Sequence, residues 1–224
     1  MDDKLTPDAF QGLTGVSRET LERLRVYLRL LEKWQGTINL VSTGSLEDAW
    51  RRHMLDSAQL ARYIPSCGKS RGPSRSGEGA PVIVDIGSGA GFPGLVLAIM
   101  GAGVVHLVES NRRKCAFLAT VARETNTEVT IEPLRVEQLV PFAADIVTAR
   151  SLAPLDKLRA FAEPFVGREG KCLFLKGKKA DEELTEAAKK WSMRVERFPS
   201  DSDSSGVVLR LRQIFRDRPH GQQL

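Results

Sequence analysis

Between Ser17 and Trp34, Leu21, Leu24, Leu28 and Leu31 recur at intervals of three and four with charges between them, which predicts an amphipathic helix. A second helix is predicted from Ser45. Ser45 and Asp48 have the form of a capping box, and Leu46, Ala49, Trp50, His53, Ser57, Leu60, Ala61 and Ile64 follow along one face. Residues 66–80 are mostly Ser, Gly and Pro with no large apolar side chain. Nothing there can be buried to offset the entropy of ordering, so the stretch reads as a flexible joint.

Past the joint the period changes. Val82 to Ile86 is a short β-branched run that ends in glycine, Phe92 to Met100 has helical spacing, and Val104 to Glu109 is a second strand. Asn111 to Glu124 predicts a helix, Val129 to Ile131 and Asp145 to Ala149 strands, Pro154 to Val166 a helix, and Lys171 to Leu175 a strand. Strands that alternate with helices imply an α/β fold whose parallel sheet is covered on both faces. Met193 to Phe198 and Val207 to Ile214 flank a Ser/Asp-rich turn and predict an antiparallel hairpin closing the sheet. The expected organisation is a helical segment over 1–65, the joint over 66–80, one α/β domain over 81–216 and a tail over 217–224.

Composition narrows this picture. With 224 residues, 42% hydrophobic and 27% charged, the chain is neither disordered nor fibrous, and two large independent domains do not fit. No apolar run approaches the ~20 residues of a membrane span, and Met1-Asp2-Asp3-Lys4 is no signal-peptide n-region, so a cytoplasmic location is expected. Cys67, Cys115 and Cys172 are odd in number and widely spaced, which suggests neither a disulfide framework nor a zinc site. Lys and Arg exceed Asp and Glu by 33 to 28, a mild surplus compatible with a nucleic-acid partner. Basic residues cluster at Arg112 to Lys114, at Lys176 to Lys179, and along Arg210, Arg212, Arg216 and Arg218.

The densest chemical signal is Asp85-Ile-Gly87-Ser-Gly89-Ala-Gly91-Phe92-Pro93-Gly94, directly after the first strand of the α/β region. Glycines allow a sharp turn and a close approach to a ligand, and a nucleotide-like cofactor should lie across it. The second strand ends in Glu109, where a carboxylate can accept from both ribose hydroxyls. The spacing Gly89-x-Gly91-x-x-Gly94 also fits the dinucleotide fingerprint, so a nicotinamide-dependent oxidoreductase stands as an alternative. S-adenosylmethionine is favoured because the glycines begin at Gly87, Asp85 would oppose a pyrophosphate but tolerate a cationic methionine, and no second domain offers a hydride acceptor. A non-catalytic RNA-binding module on the same scaffold is a third reading, disfavoured by the ribose carboxylate.

From Trp34 to Gly177 the chain resembles the RsmG (GidB) family of 16S ribosomal RNA guanine-N7 methyltransferases. The resemblance is carried by Trp34 with Asn39-Leu40, by Arg52-His53-Met54-Leu55-Asp56-Ser57, by Asp85 to Gly94, and by Glu109-Ser110 with Lys114 and Phe117-Leu118. Arg135-Val136-Glu137, Ala149-Arg150-Ser151 and Leu175-Lys176-Gly177 complete it. The glycine turn is shared by many methyltransferases, whereas the Arg-His-x-x-Asp-Ser segment combined with Ala-Arg-Ser and Leu-Lys-Gly is particular. Val96 stands where the family usually has proline, Ser151 where it has alanine, and the joint is longer and richer in Gly and Ser.

The resemblance implies a Rossmann-like class I fold with a seven-stranded sheet and S-adenosylmethionine as cofactor. It implies 16S ribosomal RNA or the small ribosomal subunit as partner. A monomer is expected, with neither metal nor membrane. Asp85, Gly87, Gly89, Gly91, Phe92 and Glu109 would form the cofactor site, Val136 and Glu137 would flank the adenine, and Arg150 would border donor and substrate. Guanine N7 carries a lone pair and no proton, so transfer needs alignment and no general base. Arg150 and Lys176 are candidates to meet the N7 and O6 acceptors. Asn39, Arg52, His53, Asp56 and Ser57 would shape the pocket. Spacing alone predicts a core histidine and an Arg52–Asp56 intrahelical pair worth about 0.2–0.5 kcal/mol.

Overall fold

The computed structural model describes residues 4–65 and 79–216. Most of the predicted joint and all of the 217–224 tail, with Cys67 and Arg218, lie outside them. The helices are α1 (Pro7–Thr14), α2 (Arg18–Gln35), α3 (Thr43–Leu46), α4 (Asp56–Ala58), α5 (Gly94–Ile99), α6 (Arg112–Glu124), α7 (Leu155–Ala162) and α8 (Ala180–Ala188). The strands are β1 (Val82–Ile86), β2 (Val104–Val108), β3 (Thr130–Glu132), β4 (Ala144–Arg150), β5 (Val166–Lys176), β6 (Trp191–Pro199) and β7 (Val207–Arg216).

One seven-stranded sheet has the order β3-β2-β1-β4-β5-β7-β6. The first five strands pair in parallel, and β7 lies antiparallel to both β5 and β6. The expected α/β class with its closing hairpin is what the chain forms. Along β1 the side chains alternate between two cores: Ile83 joins Val105, Leu107 and the N-terminal helices, whereas Val84 and Ile86 join α7 and Phe165. Alternation with both faces buried explains a strand that reads as continuous Val and Ile. From β1 the chain steps outward to β2 and β3, then returns to β4 on the other side. The crevice opens at this reversal, above the carboxyl ends of β1 and β4.

Helix α2 forms as predicted, capped by Ser17 Oγ accepting from Thr20 N at 3.1 Å, and it buries Leu21, Leu24, Leu28 and Leu31 together with Tyr27. Helix α1 has no periodic signal because it buries only Phe10; Thr6 caps it and Pro7 begins it. Helix α8 was likewise not foreseen, since it buries only Ala180 and Ala187 and exposes charge elsewhere.

The single helix predicted from Ser45 is corrected. Ser45 does not cap it: Ser45 Oγ donates to Ser42 O at 2.6 Å, while Asp48 accepts from Leu5 N and binds Arg51. After α3 the backbone runs as a π-helix over Trp50–Leu55, then α4, then a 3₁₀ turn over Gln59–Tyr63. The wide turn lets His53, Met54 and Leu55 all be buried in succession, which a 3.6-residue period on a helix with one buried face does not allow.

Gly94 marks where helix and sheet touch. A Cβ there would lie 2.6 Å from both Asp85 Cβ and Leu107 Cδ2. Gly94→Ala is therefore expected to lower stability by about 1–3 kcal/mol in urea unfolding, through overpacking.

Candidate active site

The turn after β1 is built on a buried carboxylate. Asp85 accepts from Thr148 Oγ1 of β4 at 2.7 Å and from Gly94 N at 3.2 Å, so one side chain ties the strand end to α5 and to its neighbour strand. Burial pushes its carboxyl up to about 6, against the opposing bonds from Thr148, Ser88 and Gly94 and the charge of Arg150. Asp85 has no exposed surface and does not line the crevice. Asp85, expected in the cofactor site, thus buttresses the turn from beneath.

The loop above it is left-handed at Gly87, with φ 68°, and its backbone lines the crevice together with Gly89. A side chain at Gly87 would strike Leu152, with Cδ1 only 2.5 Å from the added carbon. Gly91 faces away from the crevice, and a Cβ there would meet the Tyr27 hydroxyl. Tyr27 donates from α2 to Ala90 O, so the N-terminal helices hold the loop from behind. Glu109, just past β2, accepts from Gly89 N at 2.9 Å through Oε2 and from Asn111 N at 2.7 Å through Oε1. Each oxygen is aimed by a backbone N–H and retains a further lone pair.

At the other end the segment Arg52–Ser57 meets the end of β4. The His53 and Tyr27 rings both stack on Phe92, at centroid distances of 4.7 and 5.2 Å, and the Arg150 guanidinium carbon lies 4.9 Å from the same centroid. Burial, followed by the charges of Arg150 and Arg52, lowers His53 to about 3. The Ser45 hydroxyl proton is spent on Ser42 O, so His53 Nε2–H donates to Ser45 Oγ at 2.9 Å, and the ring is neutral. Ser57 Oγ donates to His53 O at 2.7 Å.

Asp56 does not pair with Arg52 as spacing suggested. The π-turn aims Asp56 at Arg150, whose Nη1 donates to Asp56 Oδ2 at 3.3 Å and to Arg52 O at 3.0 Å. Ser202 Oγ, on the loop between β6 and β7, donates to Asp56 Oδ1 at 2.6 Å. Arg52 reaches instead toward Asp203 on that loop, at 3.9 Å.

Lys176, a candidate to meet the guanine edge, is engaged within the fold. Although it lines the crevice, its ammonium is largely buried, donating to Ala153 O at 2.7 Å and pairing with Glu183 Oε2 at 2.7 Å. Glu183 in turn accepts from Leu155 N at 2.8 Å, so Lys176 holds the segment after β4 in place. Asn39 is exposed and bonded to Gln35 at 3.5 Å, whereas Leu40 and Val41 beside it line the crevice. Val136 and Glu137 form a 3₁₀ turn outside that lining. Val96 lies inside α5 and takes no part in the lining, while Ser151 does, at φ 53°. Of the tail arginines, Arg210 is spent on a bidentate pair with Glu196 at 2.7 and 2.6 Å.

The crevice measures about 770 Å³ and runs from Gly87, Gly89 and Glu109 past Phe92 and Arg150 to Arg52, Ser202 and Asp203. Sequence reasoning missed Tyr27, Ser202 and Asp203. Tyr27 looks like one more core position of α2, and the Ser/Asp-rich loop looks like an ordinary hairpin turn.

A family model described as rRNA small subunit methyltransferase G matches residues 20–204. The chain belongs to this family. It is 54% identical over 212 residues to the ribosomal RNA small subunit methyltransferase G of Paramagnetospirillum magneticum, covering 95% of this chain and 98% of that one. With the methyltransferase G of Rhodospirillum rubrum the identity is 51%, over 95% of this chain and 100% of the relative. Among solved structures the fold matches M. jannaschii TYW2 in complex with AdoMet, with TM-score 0.54, 16% identity, 81% of this chain and 80% of that chain. The rRNA small subunit methyltransferase G family is thus built here on a class I methyltransferase fold. No described helix is long and apolar enough to cross a membrane.

Two of the shifted groups make opposite demands on pH. Asp85, raised from 3.8 to about 6, contributes stability that is present below 3.8 and lost as pH rises through about 6. His53, lowered from 6.5 to about 3, contributes stability that is present above 6.5 and lost as pH falls through about 3. Relative to wild type, Asp85→Asn should gain stability as pH rises from 4 to about 6, and His53→Asn should lose it, in denaturant titrations across that window.

Proposed function

We propose that this protein transfers the methyl group of S-adenosylmethionine to N7 of a guanine in 16S ribosomal RNA of the small ribosomal subunit. The observation that carries the reading is the Glu109 carboxylate, fixed by Gly89 N and Asn111 N at the mouth of a glycine turn in the sheet's reversal crevice. Family membership and the relatives' names support the substrate, and the match to an AdoMet-bound structure supports the fold that would hold the cofactor.

The residues present fit this cofactor. The free lone pairs of Glu109 suit two ribose hydroxyls, and the Gly87 and Gly89 backbones leave the turn open; the Val136–Glu137 turn is assigned to the adenine on the family resemblance alone. Bound there, the cofactor supplies an electrophilic methyl on a sulfonium. The chain's own part is alignment. Phe92, held between neighbouring rings, and Arg150, fixed by Asp56 and Arg52 O, set the wall between the cofactor and substrate ends. Guanine N7 needs no base, and the site is consistent with that: His53, lowered to about 3, is a poor proton acceptor, and Asp85 is sealed beneath the turn.

Exposed Arg112 and Arg113, with Lys114 on the crevice rim, are the cations we assign to RNA phosphates.

Glu109→Ala is expected to weaken S-adenosylhomocysteine binding by about 10-fold or more in calorimetry, since hydrogen bonds to a charged group are lost. In cells lacking the gene, mass spectrometry of 16S ribosomal RNA should show one 7-methylguanosine missing, restored by the wild-type gene and not by Glu109→Ala. Restoration by the variant, or retained RNA affinity with no cofactor affinity, would contradict the proposal.

A further inference from the structure

Two ion pairs line the substrate end of the crevice, and they differ in what they leave open. In the Asp56–Arg150 pair both carboxylate oxygens are engaged: Oδ1 accepts from Ser202 Oγ at 2.6 Å and Gln59 Nε2 at 3.2 Å, and Oδ2 from Arg150 Nη1 at 3.3 Å. The Arg52–Asp203 pair is loose. Its closest approach, Nη1 to Oδ2, is 3.9 Å, beyond hydrogen-bond length, and the two side chains are 54% and 41% exposed.

Asp203 is nevertheless fixed. Its Oδ1 accepts from Ser205 N at 2.8 Å and Ser205 Oγ at 2.7 Å, and these bonds hold the carboxyl below the usual carboxylate range. Among the described residues Oδ2 has no hydrogen-bond partner. A rigid, ionised acceptor and a neighbouring guanidinium thus face the crevice with unspent capacity.

We propose that Arg52 and Asp203 read the Watson–Crick edge of the target guanine, Asp203 Oδ2 accepting from N1–H and the 2-amino group and Arg52 donating to O6. This rests on the guanine-N7 reading above. N7 belongs to the five-membered ring, and N1 and the 2-amino group lie on the far side of the six-membered ring. A base that presents N7 to the glycine turn therefore points those donors away from β1. The loop carrying Asp203 leads into β7, three strands from β1 in the sheet order, or about 14 Å at ordinary strand spacing. That span accommodates one purine. Adenine would set the lone pair of its N1 against the Asp203 carboxylate and offer no 2-amino donor, so the same pair rejects it.

The test uses small subunits reconstituted with 16S ribosomal RNA carrying either guanosine or inosine at the target position. Inosine keeps N7, O6 and N1–H and lacks the 2-amino group. Wild-type enzyme should prefer guanosine by about 10- to 100-fold in kcat/KM, the range for a lost bond to a charged acceptor. Asp203→Ala should methylate guanosine more slowly and inosine nearly as well as guanosine, with S-adenosylhomocysteine affinity unchanged and Tm still well above the assay temperature despite the lost Ser205 bonds. Asp203→Asn, closer in shape, should retain an intermediate preference. A full guanosine preference in Asp203→Ala, or a defect explained by lost stability or cofactor affinity, would overturn the assignment. Wild-type enzyme that binds S-adenosylhomocysteine yet forms no 7-methylguanosine would instead overturn the functional reading, and this assignment with it.

Discussion

The far half of the crevice depends on one contact, that between Asp56 and Arg150. It joins the residue that follows the π-helical turn, the carboxyl end of β4 and, through Ser202, the loop of the closing hairpin, which Gln59 also ties to the same segment through Asp201 N. Both side chains are about one-sixth exposed, at 17% and 16%, so each is partly desolvated and each satisfies the other. Removing one partner would strand a partly buried charge, which costs more than the pair itself contributes. Arg150 also donates to Arg52 O and lies against Phe92, so its position is fixed from several directions at once.

Burial sets the electrostatics around that cation, and its charge adds to them. His53, pressed on the same ring, is held neutral first by burial and then by the charges of Arg150 and Arg52. Asp85 is raised by burial, with Arg150 acting in the opposite sense. The result is a site with a fixed positive wall, a neutral histidine and a carboxylate hidden under the floor. For a reaction at a base nitrogen that carries no proton, such a site needs only to align its reactants and keep water away.

The N-terminal helices belong to the site rather than decorating it. Tyr27 reaches from α2 to Ala90 O and stacks on Phe92, and its hydroxyl is one reason Gly91 must lack a side chain. The same core that buries Leu24 and Leu28 also holds Phe92, Leu95 and Phe117. A helical segment that reads as an appendage therefore presses directly on the glycine turn.

Local chemistry was enough to reveal much of this protein. The leucine spacing of α2, the β-branched run of β1, the glycines that follow it and the carboxylate of Glu109 all express short-range rules of period, turn geometry and strand-end placement, which neighbouring residues determine by themselves. Charge partners were not legible. Asp56 and Arg52 stand four apart, yet the π-turn sends one to Arg150 and the other toward Asp203; Lys176 turns to Glu183; Asp85 faces inward. Those choices fell to the tertiary structure, because an ion's partner is set by which distant charges the packed sheet brings within a few ångströms, and in a chain whose carboxylates nearly match its cations, spacing along one helix cannot rank them.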